Sequence, residues 1–222
     1  TIPSLHNVPE LMMLNLSDNQ LTGPIPSLDH FTNFFGLQLN GNNLEGTIPS
    51  LHNVPNMTLL SVGDNNLSGE IPSLEKNTKI LELSLGNNSL SGHLPSFSGL
   101  SALTRVYLND NNFSGPLPIS NFTKHPELIL FIAHNNNFDG ELSSTIFDLQ
   151  KLETVILSGN EKLSGSLPPI LDSPALTSFI MEGCNLSGKL PQTIKSNLTS
   201  LYLAGNNLKS TIPALPPSIR EV

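Results

Sequence analysis

Histidine is the residue type of this chain best suited to catalysis or metal binding, but the spacing of the histidines favours neither. Six histidines are scattered through 222 residues. His6 and His52 belong to one nonapeptide, Thr1–Pro9, that recurs unchanged at 47–55, so duplication explains their spacing. Because histidine binds a metal ion only beside convergent ligands, we expect no metal site.

Three aspartates, Asp18, Asp64 and Asp110, each stand directly before an asparagine that recurs along the chain. The segment Asn109–Gly115 weakly resembles a calcium loop, but it lacks the bidentate glutamate that ends such loops. Carboxylates two structural repeats apart are too distant to share one ion. We therefore expect these aspartates to serve turns.

Motifs of the common enzyme classes are missing. The chain has no G-x-S-x-G, H-E-x-x-H, P-loop, kinase or dinucleotide signature, so we expect neither catalytic residues nor a cofactor. The formal net charge is −8 and no basic run occurs, which argues against binding to nucleic acid or an anionic membrane. These features predict a non-enzymatic protein that acts through a surface.

Eight N-x-[ST] sequons indicate N-linked glycans and passage through the secretory pathway. Three of them, at Asn66, Asn112 and Asn185, arise from a phrase that the chain repeats, and therefore carry less weight than the independent ones. The candidate glycosylation sites are Asn15, Asn56, Asn66, Asn87, Asn112, Asn121, Asn185 and Asn197.

That repeated phrase has the consensus L-x-x-L-x-L-x-x-N-x-L-x-G and recurs in nine approximate copies with a period of 22 to 25 residues. Such a period predicts a solenoid, in which each repeat buries its apolar face against its neighbours. The consensus Asn position is occupied by Asn19, Asn42, Asn65, Asn88, Asn111, Asn136, Asn160, Cys184 and Asn206.

The second half of most repeats is Gly-x-[Ile/Leu]-Pro, as in Gly23–Pro26 and Gly69–Pro72. With this string the whole chain resembles the plant-type extracellular leucine-rich-repeat family, which includes ectodomains of receptor-like kinases and receptor-like proteins and polygalacturonase-inhibitor-like proteins. The resemblance implies a β-rich α/β solenoid, a right-handed superhelix with a concave parallel sheet and convex 3₁₀ or extended segments. It also implies an extracellular protein- or peptide-binding module of a cell-surface receptor or secreted inhibitor.

Each repeat should begin with a short strand, because inward Leu14 and Leu16 alternate with outward Asn15. The consensus Asn should hydrogen-bond backbone groups of the following turn, the glycine permits a positive φ, and the proline favours an extended return. One extra residue within Asn160–Leu163 predicts a bulged turn. Cys184, the sole cysteine, should replace the asparagine as a weak donor.

Nine stacked repeats predict one solenoid domain over residues 1–222. Thr1–Pro3 matches the close of one repeat and Ile219–Val222 the opening of another, so we expect an excerpt of a longer ectodomain, or else a chain whose ends stack against a partner. The sequence has no apolar run near 18 residues, no signal-peptide pattern and no cysteine pair to cap the solenoid. We expect any membrane anchor outside this chain.

The outward position of the strand changes character along the chain. It is polar in the first four repeats, where a glycan on Asn15 would block access, and large and apolar in the last five. An exposed apolar line is typical of an interaction site, whereas a ladder of β-branched side chains can also bury itself. Both interpretations stay open. The candidate ligand-binding residues are Tyr107, Ile132, Ile156, Ile180 and Tyr202, with Arg105, His134 and Glu182 at the rim.

Two classes of function fit this pattern. The first is recognition of a protein or peptide ligand, with a co-receptor or a second copy contacting the solenoid ends. The second is a structural or matrix protein whose repeats stack end to end into a fibre, with ice or wall-polymer binding as a variant. Because a polymer-binding face should repeat one residue in every coil and the outward position does not, we favour a discrete ligand.

Overall fold

The computed structural model describes residues 1–117, 125–195 and 197–209, so the predicted half-repeat at Ile219–Val222 lies outside the described residues. Its main feature is one continuous parallel sheet of nine strands, one from each repeat. Numbered along the chain, these are β1 (Met13–Asn15), β3 (Gly36–Gln38), β5 (Leu59–Ser61), β7 (Glu82–Ser84), β9 (Arg105–Tyr107), β11 (Leu130–Ile132), β14 (Thr154–Ile156), β17 (Ser178–Ile180) and β20 (Ser200–Tyr202).

The chain returns through three narrower parallel sheets. The six-stranded one contains β2 (Thr22–Gly23), β4 (Asn43–Gly46), β6 (Asn66–Gly69), β8 (Ser89–His93), β10 (Asn112–Pro116) and β12 (Asn137–Asp139). The four-stranded one contains β13 (Glu141–Leu142), β15 (Ser164–Ser166), β18 (Asn185–Gly188) and β21 (Asn207–Leu208), and the last pairs β16 (Ile170–Leu171) with β19 (Thr193–Ile194).

Helix contributes almost nothing to this solenoid. Within the described ranges the chain forms one 3₁₀ helix, Ser144–Asp148, and no α-helix. Extended segments rather than helices therefore carry the chain back between strands of the main sheet. The β-rich leucine-rich-repeat solenoid expected from the sequence is confirmed.

The core is built from equivalent positions of successive repeats. Inward strand residues such as Leu37, Leu60 and Leu83 are fully buried. A second layer follows the consensus Asn, and there Phe113 and Phe138 are fully buried with ring centroids 6.2 Å apart and planes 18° apart. Every repeat thus adds the same layers, and no repeat could bury them alone.

The consensus asparagines form the expected ladder. The Nδ2 of Asn65 donates to the backbone carbonyls of Val62 and Gly63 in its own turn and to that of Leu39 in the preceding coil, at 2.9 to 3.2 Å. Its Oδ1 accepts from the backbone N–H of Leu44 at 2.9 Å. One side chain therefore satisfies four backbone groups and links two coils.

The predicted bulged turn and the cysteine prove to be connected. In most coils the backbone N–H after the turn donates to the next coil's asparagine, as Phe138 donates to Asn160 Oδ1. In the bulged turn the N–H of Leu163 donates instead to the Asn160 carbonyl at 2.9 Å. The consensus Asn position of the next coil therefore needs no side-chain acceptor, and Cys184 occupies that position. Its Sγ donates weakly to the Leu157 carbonyl at 3.5 Å.

This environment predicts an unreactive thiol. Burial raises the pKa of Cys184 above its ordinary value, outweighing nearby backbone hydrogen bonds, and the side chain is largely inaccessible. Reaction of the folded chain with Ellman's reagent at pH 8 should be slower than that of the urea-unfolded chain by about two orders of magnitude, because it requires local opening. Equal rates would contradict this environment.

The recurring aspartates have the turn role that the sequence suggested. Asp18, Asp64 and Asp110 adopt φ of 53° to 55°, as do Asn87 and Asn135 in the same position of other coils. Aspartate and asparagine tolerate this left-handed conformation better than other residues with a side chain. The remaining described coils place glycine there, which confirms a backbone requirement.

Candidate functional site

The predicted line of outward residues is one continuous row in the structure. Strand pairing sets Tyr107 opposite Ile132, Ile132 opposite Ile156, Ile156 opposite Ile180, and Ile180 opposite Tyr202. Asn15, Gln38, Ser61 and Ser84 continue the row towards β1. We call the solvent-facing side of the nine-stranded sheet the outer face, and these five large residues the apolar row.

The apolar row is half-buried. All five side chains have intermediate exposure, because each packs against the same position of the neighbouring coil. The side chains of the row therefore bury part of one another's surface and leave another part accessible. The row therefore presents some apolar surface to solvent without being a fully exposed patch.

The most exposed large apolar residues near this sheet were missed by the sequence interpretation. Met12, Met13 and Leu81 are 54%, 37% and 46% exposed, and they lie at or just before the start of β1 and β7. Met13 lies over Gly36, 3.2 Å from the position that a Cβ would occupy there. Met13 lies two residues before the outward column, a position that also holds Leu59 and Leu130, and Met12 and Leu81 lie three residues before it.

A polar cluster adjoins Tyr107 and Ile132. Asp110 accepts hydrogen bonds from the Nδ2 atoms of Asn109 and Asn135, both at 2.8 Å, and its Oδ2 lies 3.8 Å from His134 Nδ1. Partial burial would raise the pKa of Asp110, but the two hydrogen bonds and His134 together hold it below the ordinary value. The carboxylate is therefore charged, and it orients Asn109 beside the row.

The other predicted rim residues also lie along the outer face. Arg105 opens β9 and is exposed, and Glu182 follows β17 and is half-buried. The Glu182 backbone N–H donates to Ser158 Oγ at 2.9 Å. The structure therefore places Arg105, His134 and Glu182 beside the apolar row, spread over four coils.

A depression of about 310 Å³ interrupts the outer face between β5 and β9. Gly63 and Gly86 form its floor, at a position where other coils carry Asn40, His134 or Glu182. Asp64, Glu82, Tyr107 and Asn109 surround it. The apolar row thus begins, at Tyr107, on the rim of a polar hollow.

Seven of the eight sequon asparagines are described, and Asn121 lies outside the described residues. Asn56 is half-buried, with its Oδ1 accepting from Lys79 Nζ at 2.7 Å. Asn87 lines the depression and its Nδ2 donates to Asp64 Oδ1 at 2.8 Å. The exposed ones are Asn15, Asn66, Asn87, Asn112, Asn185 and Asn197.

Two further properties bear on the kind of site. Within the part of the chain that the structure describes, no group of three or more His, Cys, Asp or Glu side chains could hold a metal ion. No described helix is long and apolar enough to span a membrane.

Comparison with known proteins agrees with this architecture. The family model described as Leucine Rich Repeat matches residues 10–31 and 197–219. Receptor-like protein 35 of Arabidopsis thaliana is 37% identical over 92 residues, which are 40% of this chain and 10% of that protein. The chain thus spans about a tenth of the curated relatives that it matches.

Solved structures that are similar over nearly the whole chain include the following two. The plant peptide hormone receptor RGFR1, in complex with RGF2, superposes with a TM-score of 0.87 at 31% identity and covers 94% of this chain and 34% of the receptor chain. A plant ice-binding protein superposes with a TM-score of 0.79 at 25% identity, over 95% of this chain and 69% of that one. With nine stacked strands and an asparagine ladder, the chain is a leucine-rich-repeat solenoid, and it is similar to plant receptor-like proteins and plant receptor ectodomains.

Proposed function

We propose that the outer face binds an extracellular peptide or protein ligand, as the recognition part of a cell-surface receptor or a secreted inhibitor. The observation that supports this most is the apolar row, five large side chains held in register and partly open to solvent. Tyrosine is enriched at binding hot spots. Similar proteins include a receptor-like protein and a peptide hormone receptor.

The proposed mechanism is complementarity of shape and side chains, without catalysis. An extended ligand lying across the strands would contact one outward residue per coil, at the strand spacing of about 4.8 Å. Arg105, His134 and Glu182 would give polar contacts that fix its direction. A co-receptor or a second copy would contact the solenoid elsewhere, and the whole chain would act as a single binding module.

The sequons support an extracellular location within this proposal. Six of the seven described asparagines are exposed, as the addition of a glycan requires. A glycan on Asn15 would cover the β1 end of the outer face and leave the apolar row open, whereas one on Asn87 would stand over the hollow beside Tyr107. Glycosidase treatment of secreted material followed by peptide mass mapping would identify the occupied sites.

A substitution in the apolar row tests the proposal. Peptides would be selected from a random nine-residue display library on the immobilised chain and then titrated by biolayer interferometry. Ile156→Asp should weaken binding by about tenfold to a hundredfold, because a charge replaces about 1.5–3 kcal/mol of apolar burial in the middle of the row.

Ile170 supplies the matched control. It is 50% exposed on β16, in a different sheet, so Ile170→Asp makes the same chemical change away from the outer face. Binding should survive this second change. Equal losses of peptide affinity in the two variants, or the enrichment of no peptide at all, would contradict the proposed function.

The similarity to an ice-binding protein supports ice binding as a second candidate function. Five successive strands of the six-stranded sheet begin with a small exposed polar residue, although strand pairing offsets each by two positions from the one before: Asn43, Asn66, Ser89, Asn112 and Asn137. Glycans on Asn66 and Asn112 would interrupt that series. Thermal hysteresis of the deglycosylated chain would establish this candidate, and its absence would remove it.

The fibre alternative differs from both in its assembly. End-to-end stacking would make the chain polymerise through heterologous contacts. Light scattering over a range of concentrations should give a constant mass if the ligand-binding proposal is right. A mass that grows with concentration would favour the structural role.

A further inference from the structure

The depression between β5 and β9 is built by two glycines whose backbone does not require glycine. Gly63 and Gly86 are absent from the described residues with positive φ, unlike Gly69 at 80°. What they provide is room for atoms of the next coil, beside the hollow that they line. A Cβ on Gly86 would lie 2.6 Å from Asn109 Oδ1, and one on Gly63 would lie 3.0 Å from the Gly86 carbonyl oxygen.

The hollow is lined by two carboxylates, Asp64 and Glu82, and neither forms an ion pair with another described residue. Asp64 uses Oδ1 to accept from Asn87, and among the described residues the Glu82 carboxylate has no ion-pair or hydrogen-bond partner. Arg105 pairs with Glu82 in the strand register, yet no ion pair joins them. The hollow therefore contributes unmatched negative charge next to open space.

Negatively charged side chains also predominate over the rest of the outer face. From one residue before each strand of this face to three residues after it, carboxylates outnumber the single arginine, Arg105, and no lysine occurs. These carboxylates are Asp18, Asp64, Glu82, Asp110, Glu153 and Glu182. Tyr107 is among the residues that line the hollow, and the face of an aromatic ring attracts a cation.

We propose that this hollow, with Asn87 free of a glycan, receives a cationic side chain, lysine or arginine, of the peptide bound to the outer face. This inference rests on the proposed function and names the ligand class that it selects. Carboxylates at the rim reject an anionic side chain, and a polar floor of backbone and amide groups gives an apolar side chain little to contact. The next apolar side chains of the ligand would lie on the row that starts at Tyr107.

The test uses Nα-acetyl-arginine methylamide as the probe, with the norleucine and glutamate analogues for comparison. Titrations would follow the amide signals of Gly63 and Gly86 in the ¹⁵N-labelled chain by NMR. Only the arginine probe should shift both signals saturably. Added salt should weaken its binding, because the attraction is between charges near solvent.

The double variant Asp64→Asn, Glu82→Gln should reduce the affinity for the probe by about tenfold or more. Asparagine suits the left-handed conformation at this position, as Asn87 shows. Glu75→Gln, an exposed residue distant from the main sheet, changes the net charge without touching the hollow and should bind the probe normally.

Failure of this inference is distinguishable from failure of the proposed function. Peptides that are enriched on the chain without an excess of lysine or arginine, together with equal shifts from arginine and norleucine, would overturn the cationic hollow alone. Saturable arginine binding without any enriched peptide would support the hollow and overturn peptide recognition. Absence of any probe shift would overturn the inference.

Discussion

Replacing Asn65 with alanine should lower the free energy of unfolding by about 3–5 kcal/mol. Asn65 is almost entirely buried, and its amide satisfies three carbonyls and one N–H of two coils. Alanine would leave these groups without partners, and each unsatisfied buried group costs about 1–3 kcal/mol before relaxation. Urea denaturation followed by circular dichroism would measure the loss.

Asn19 provides the internal comparison for that prediction. It occupies the same position of the first described repeat, but it is exposed and donates only to the carbonyls of Leu16 and Ser17. Water can replace those contacts, so Asn19→Ala should cost about 1 kcal/mol or less. If both variants lost the same stability, burial would not be the source of the ladder's strength.

Replacing Phe138 with alanine should cost about 3–5 kcal/mol, comparable to the loss of a ladder asparagine. The ring is fully buried and packs against Phe113. Truncation leaves a cavity that two neighbouring coils close only in part. Chemical denaturation would measure this change as well.

The Phe138→Leu variant isolates the effect of volume. Leucine stands at this position in most other repeats, so it should pack with a loss of about 1.5 kcal/mol or less. A leucine variant as unstable as the alanine variant would mean that these two coils require an aromatic ring. That result would contradict the view that each coil accepts either side chain.

Several features of the fold followed directly from the sequence. The period predicted the stack, the alternation of Leu14, Asn15 and Leu16 predicted the strand, and the extra residue after Asn160 predicted the bulged turn. Such predictions succeed because equivalent residues of successive coils are neighbours, so local spacing and long-range contact carry the same information. For that reason the apolar row was also predicted in the right register.

Exposure could not be predicted in the same way. Whether Ile156 is open or covered depends on the side chains of the two adjacent coils, and Met13 is exposed because Gly36 beside it has no side chain to cover it. The link between Cys184 and the Leu163 turn likewise depends on where one N–H points.

The sequence by itself therefore determined the solenoid, its ladder and the order of residues along the outer face. Only the tertiary structure decided how much of each outward side chain reaches solvent and where the face opens into a hollow. The physical reason is that hydrogen-bond register repeats from coil to coil, whereas exposure depends on the sizes of unlike side chains packed side by side.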